Sequence, residues 1–117
     1  MQKIINIFNN QNMKNEKISL SNAGISQTIS GHTYGPAIRR DLIIHFILSG
    51  QGTLISQGIR WNLKAGYGFI IIPGEINTYQ ADIHHPWKYV FFSFTGKGVE
   101  KYLNKLGFYG ENKILIY

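Results

Sequence analysis

Four histidines, six carboxylates and no cysteine make up the reactive inventory of this 117-residue chain. Lacking cysteine, it has no disulfide scaffold, thiolate zinc site, iron–sulfur cluster or cysteine nucleophile. The carboxylates are Glu16, Asp41, Glu75, Asp82, Glu100 and Glu111. They are dispersed, and no Ser-His-Asp spacing or phosphate-cradling loop accompanies them. Gly-x-Gly occurs at Gly50–Gly52 and Gly66–Gly68. Both lie in hairpin turns, where a dinucleotide or phosphate loop would need a strand-to-helix turn. His84 and His85 are adjacent, and adjacent strand residues point to opposite faces, so they do not pair as ligands. No catalytic residue is assigned, and the chain is not expected to be an enzyme. What remains is recognition by hydrogen bonds and aromatic faces. That depends on how strands present His45, Asn77, Tyr79, Tyr89 and Phe91.

Those strands can be read from apolar runs broken by glycine. Leu42–Leu48 is a strong strand, Ala23–Ser30 a weak one, and Gly31–Arg40 reads as a loop carrying Gly35-Pro36. Thr53–Ser56 and Ile59–Leu63 flank Gln57-Gly58 and form a tight hairpin. Phe69–Ile72 ends at Pro73-Gly74, and Glu75 serves that turn. Trp87–Phe94 is a long aromatic strand. Strands at roughly ten-residue spacing with glycine turns predict an all-β antiparallel barrel of about eight strands. One helix is expected over Lys97–Leu106, where Val99, Tyr102, Leu103 and Leu106 fall at i, i+3, i+4 and i+7. Gly107 would cap it, and its narrow stripe would pack on the barrel's outside. Lys113–Tyr117 reads as a strand in which the chain stops, an ending expected of part of a longer protein.

Composition sets the outer limits. Apolar types reach 44% and charged types 15%, which suits a single folded domain. The first residues are rich in Asn and Gln around Ile4, Ile5, Ile7 and Phe8, and read as a mobile arm over residues 1–20. No apolar run approaches the roughly 20 residues of a membrane helix. The start is too short and polar for a signal peptide, so a cytoplasmic location is expected. The net charge of +6 is scattered, with Arg39-Arg40 the one adjacent basic pair. It reads as background composition rather than a nucleic-acid surface.

Five segments carry a family pattern in order: Gly31–Arg40 (GHTYGPAIRR), Leu42–Thr53 (LIIHFILSGQGT), Leu63–Glu75 (LKAGYGFIIIPGE), Tyr79–Asp82 (YQAD) and Pro86–Tyr89 (PWKY). From about Gly31 to Gly107 the chain resembles the N-terminal ligand-binding domain of AraC-family transcription regulators. The resemblance implies a cupin-like double-stranded β-helix, or jelly-roll barrel, over residues 21–96. A short C-terminal helix and strand at 97–117 would lead toward helices of dimerisation. In full-length members a DNA-binding region with two helix-turn-helix motifs follows. The implied function is effector sensing in a homodimer, with DNA bound only outside this chain. The rival is a stand-alone cupin enzyme, such as an isomerase or dioxygenase.

Cupin barrels often hold a metal on three histidines and a glutamate. Aligned on Gly50, the glutamate position falls near Ile43 and the third histidine at Asn77. The two early histidines fall in Gly35–Arg39, which has none. No metal or other cofactor is expected. If those positions face inward, alternation also turns Ile43, His45 and Ile47 inward, with Asn77 and Tyr79. On the aromatic strand, Trp87, Tyr89 and Phe91 face in, because the opposite phase would bury Lys88. The predicted site is therefore His45, Asn77, Tyr79, Tyr89 and Phe91. In arabinose-sensing members the resemblance places sugar contacts at Tyr79, Tyr89 and Phe91. Those members have Tyr, His and Trp there, and this chain keeps the tyrosine. They also use an early arginine, for which Arg39 is the candidate. Aromatic walls suit the faces of a sugar ring and polar tips its hydroxyls, so a small polar effector, a sugar, is expected. The arm would close over it.

Overall fold

The computed structural model describes residues 3–9, 18–106 and 113–116. Its strands in chain order are β1 (Lys3–Asn9), β2 (Ser19–Gln27), β3 (Thr33–Ile38), β4 (Leu42–Ser49) and β5 (Gln51–Ser56). They continue as β6 (Ile59–Lys64), β7 (Tyr67–Ile71), β8 (Ile76–Ala81) and β9 (Lys88–Thr95). Helix α1 (Val99–Leu106) and β10 (Ile114–Ile116) follow. A six-stranded sheet runs β1-β2-β9-β4-β7-β10, and a four-stranded sheet runs β3-β8-β5-β6. Every pairing between these strands is antiparallel. Among the described residues, no helix is long and apolar enough to cross a membrane.

The pleat decides which side chains meet. In β4, Ile43, His45 and Ile47 are buried while Leu42, Ile44 and Phe46 are half-exposed. In β8, Asn77, Tyr79 and Ala81 are buried and Ile76 and Gln80 are exposed. The expected inward phase therefore holds on both strands. Trp87 and Tyr89 are also buried, and Phe91 is half-buried. The inner faces form one core that joins Ile43, Ile47, Leu54, Phe69, Tyr79, Trp87 and Tyr89. Gly52 is needed there, because a Cβ would lie 2.6 Å from the Trp87 ring. Gln57 (φ 52°) and Gly58 (φ 78°) both take left-handed conformations, the signature of a two-residue hairpin turn that matches strand twist.

Helix α1 packs on the outside, as expected. Val99 and Leu103 cover Ile70 and Ile72 on the outer face of the six-stranded sheet, with Leu42, Ile44 and Leu115 around them. The Tyr102 and Leu106 side chains and Gly107 lie outside the described residues. The fully buried Lys113 pairs with Glu75 at 3.0 Å. Glu75 thus does more than close its turn, where its N–H donates to Ile72 O at 3.2 Å. It also ties the start of β10 to the β7–β8 connection.

Two local expectations are corrected. Gly31–Arg40 is not all loop, since Thr33–Ile38 forms edge strand β3. Its partners put Tyr34 opposite Tyr79 and Ala37 opposite Asn77, with the register shift falling at Gly35-Pro36. Proline removes a donor, which an edge strand tolerates at a bulge. At the other end, the segment expected as a mobile arm forms an edge strand, Lys3–Asn9, on β2. β2 itself begins at Ser19, inside the stretch assigned to that arm. Residues 10–17 and the side chains of Ile5, Ile7 and Phe8 lie outside the described set.

Candidate ligand-binding site

Strands β3, β4, β8 and β9 wall a cavity of about 310 Å³ inside the barrel. His45 forms its floor. The imidazole stacks on Phe69 with ring centroids 4.3 Å apart and planes 9° apart. Tyr89 and Tyr79 meet it edge-on at 4.9 and 5.3 Å, and Phe91 lies at 6.4 Å. Tyr79 stacks on Tyr34 at 5.1 Å, and the Arg39 guanidinium lies 4.8 Å over the Tyr34 ring. Ile43 and Ile4 complete the lining. Ile4 belongs to β1, so the N-terminal segment does reach the pocket.

The electrostatics follow from burial. His45 is pushed down to about 3, first by burial and then by the positive charge of Arg39, with a hydrogen bond to the Phe69 backbone acting the other way. It is therefore neutral at physiological pH. Burial, followed by the neighbouring Tyr89, holds Tyr79 well above the usual phenol range. The Arg39 charge and its hydrogen bond to the Tyr79 side chain pull against that shift. His45 Nδ1 is buried and has no hydrogen-bond partner. Such an orphan costs about 1–3 kcal/mol, so a ligand atom that satisfies it is strongly favoured.

Of the residues expected from sequence, Arg39, His45, Tyr79, Tyr89 and Phe91 line this one cavity. Asn77 does not. It is buried, but its Nδ2 donates to Glu75 O at 3.1 Å, so it braces the turn after β7. Tyr34 also lines the cavity and is absent from that set, because its segment reads as a loop in the sequence and is a strand in the fold. Once β3 is placed against β8, period-two alternation finds it.

A metal does not suit this interior. Ile43 and Asn77 stand where two of the ligands would be needed, and among the described residues no three His, Cys, Asp or Glu side chains converge. His84 and His85 lie in a loop whose backbone N–H groups donate to Asp82 Oδ2 at 3.0 and 2.9 Å. Those bonds, His85's foremost, hold the Asp82 carboxyl below the usual range. A larger depression of about 590 Å³ lies outside, over β5, β6 and β8, among Gln51, Thr53, Arg60, Asn62, Lys64 and Gln80. Long exposed side chains line most of it, and none of its groups is a buried orphan. The interior cavity is the better candidate.

Several solved structures share the fold. The cupin domain of Schizosaccharomyces pombe Cnp3 superposes with a TM-score of 0.67 at 13% identity, covering 91% of this chain and 71% of that one. A Cupin 2 conserved barrel domain protein from Salinispora arenicola gives 0.65 at 13% identity, covering 89% and 84%. Sequence relatives are more specific. The Msm operon regulatory protein of Streptococcus mutans is 37% identical over 103 residues, 87% of this chain and 37% of that protein. The lactose operon transcription activator of Staphylococcus xylosus is 25% identical over 97 residues, 83% of this chain and 35% of that protein. The raffinose operon transcriptional regulatory protein of Pediococcus pentosaceus is 36% identical over 74 residues, 62% of this chain and 27% of that protein. The chain thus spans little more than a third of the longest-matching relatives. Residues 19–115, which carry the barrel, α1 and most of β10, match the AraC-like ligand binding domain. With that match on top of the barrel and its pocket, the chain belongs to the family of AraC-like ligand-binding domains.

Proposed function

We propose that this domain senses a small sugar in its barrel cavity and governs a transcription regulator of a carbohydrate operon. One observation carries the reading: a buried, unpartnered His45 Nδ1 on the wall of an aromatic cavity of about 310 Å³. An imidazole held neutral offers hydrogen bonding without charge. Tyr79 and Tyr89 add hydroxyls, and Tyr34 and Phe91 add ring faces, which is the mixture a sugar ring needs. The relatives named for Msm, lactose and raffinose operons support a carbohydrate effector. DNA binding would reside outside this chain, because the charge here is dispersed and the described residues include one short helix. The full-length protein would act as a cytoplasmic homodimer.

The test is a thermal-shift screen of a sugar library, followed by calorimetric titration of the hits. Binding that is lost on His45→Phe, in a variant that still melts cooperatively, is the expected result. Hits that bind His45→Phe and wild type alike would remove the cavity from the account.

A further inference from the structure

The cavity's balance of hydrogen-bonding groups is uneven. Arg39 offers donors only, and the acceptors that the lining adds, His45 Nδ1 and the tyrosine hydroxyls, are all neutral. Arg39 also hydrogen-bonds the Tyr79 side chain at the cavity edge. The charge is equally one-sided. Among the described residues, no carboxylate lies within ion-pair distance of Arg39. Asp41 accepts from Ser21 at 3.2 Å, Glu75 pairs with Lys113, and Asp82 caps its own loop. Stacking on Tyr34 orients the guanidinium without neutralising it. Its field reaches the cavity floor, where it acts on both His45 and Tyr79.

From this geometry we infer that the ligand is a sugar bearing an anionic oxygen group, a carboxylate or a phosphate, seated on the Arg39 guanidinium. The inference rests on the proposed sugar-sensing role and narrows its ligand class. A planar guanidinium half-buried in a low-dielectric wall pairs bidentately with such groups. His45 Nδ1 and the Tyr79 hydroxyl would then hold the ring. A volume of about 310 Å³ equals about ten water volumes, which accommodates one substituted ring rather than a trisaccharide. If the effector derives from an oligosaccharide, a glycoside-cleaving reaction and a phosphorylation or oxidation, in either order, would supply it.

The test is calorimetry on the whole chain with matched probes: glucose against glucose 6-phosphate and glucuronate, and galactose against galactose 6-phosphate and galacturonate. At least one charged probe should bind roughly 10- to 100-fold tighter than its neutral parent, the range expected of a hydrogen bond to a charged group. Arg39→Met should erase that preference, so that charged and neutral probes bind the variant alike, and Arg39→Lys should restore part of it. Phosphate against carboxylate distinguishes the two sources of charge. Neutral sugars binding as well as or better than their charged partners would overturn the anionic ligand and leave sugar sensing intact. Equal loss of both classes in Arg39→Met would make Arg39 a brace for Tyr34 and also overturn it. No binding by any neutral or charged probe would count against both.

Discussion

Strand β4 has two faces, and the packing on each is of a different kind. Its outward residues Leu42 and Ile44 join Ile70, Ile72, Val99, Leu103 and Leu115 in a wholly aliphatic cluster beneath α1. Its inward residues Ile43 and His45 meet Phe69, Tyr79 and Tyr89 around a cavity that retains an unpartnered nitrogen. Close aliphatic packing is what stability alone favours. Buried orphans and empty volume run against it, and where an orphan borders a cavity, as His45 Nδ1 does and Ser56 Oγ and Asn77 Oδ1 do not, water or a ligand can supply the missing partner. On the proposed reading the inner face of β4 serves both the main core and the ligand, while its outer face serves the fold alone.

The largest expected effect falls on the aliphatic side. Leu103→Ala should lower unfolding free energy by about 2–5 kcal/mol in urea titrations. Ligand affinity of the protein that remains folded should not change. A variant that lost affinity in step with stability would merge the two regions.

Next comes the floor of the cavity. The His45 value is depressed in the folded state, so the unfolded chain binds the extra proton between about pH 6.5 and about 3. Stability is therefore full above pH 6.5 and falls as pH drops through that window. This one group contributes about 1.4 kcal/mol per pH unit. Urea midpoints at pH 6, 5 and 4 should show that slope, and His45→Phe should flatten it by that amount. An unchanged slope would mean that His45 is hydrated and not sealed in the wall.

Smaller still are the hydroxyl deletions. Tyr79→Phe or Tyr89→Phe should weaken ligand binding by roughly 2- to 13-fold, the equivalent of one neutral hydrogen bond at about 0.5–1.5 kcal/mol. Their melting should stay close to wild type. Smallest is Arg60→Gln in the outer depression, which should change stability by less than about 0.5 kcal/mol and leave affinity untouched. A sugar titration that responds to Arg60 and not to Tyr79 would exchange the roles of the two hollows.

Much of this division was legible beforehand, because period-two alternation is a strong signal where one face is buried. With the phase set by the resemblance, alternation turns Ile43, His45, Ile47 and Tyr79 inward, the cost of burying Lys88 does the same for Tyr89, and all five are buried. The helix was legible because Val99 and Leu103 share one face. Alternation gives a side, however, and not a depth along the barrel. Asn77 points inward like Tyr79 but lies two residues nearer the Pro73-Gly74 turn, where its amide meets Glu75. Tyr34 was hidden by Gly35 and Pro36, whose breaker signal conceals an edge strand with a bulge. The pairing of Lys113 with Glu75 joins segments far apart in the chain, and no local pattern announces it.

On this reading the interior face of β4 contacts the ligand, while its outer face contributes to the fold alone. The most direct test is a titration followed by NMR, observing the His45 imidazole nitrogens and the Leu103 methyls together. The probe is the tightest-binding sugar from the calorimetric series. His45 Nδ1 is expected to shift with saturation while the Leu103 methyls stay in place. Leu103 methyls that move while His45 Nδ1 does not would contradict that reading.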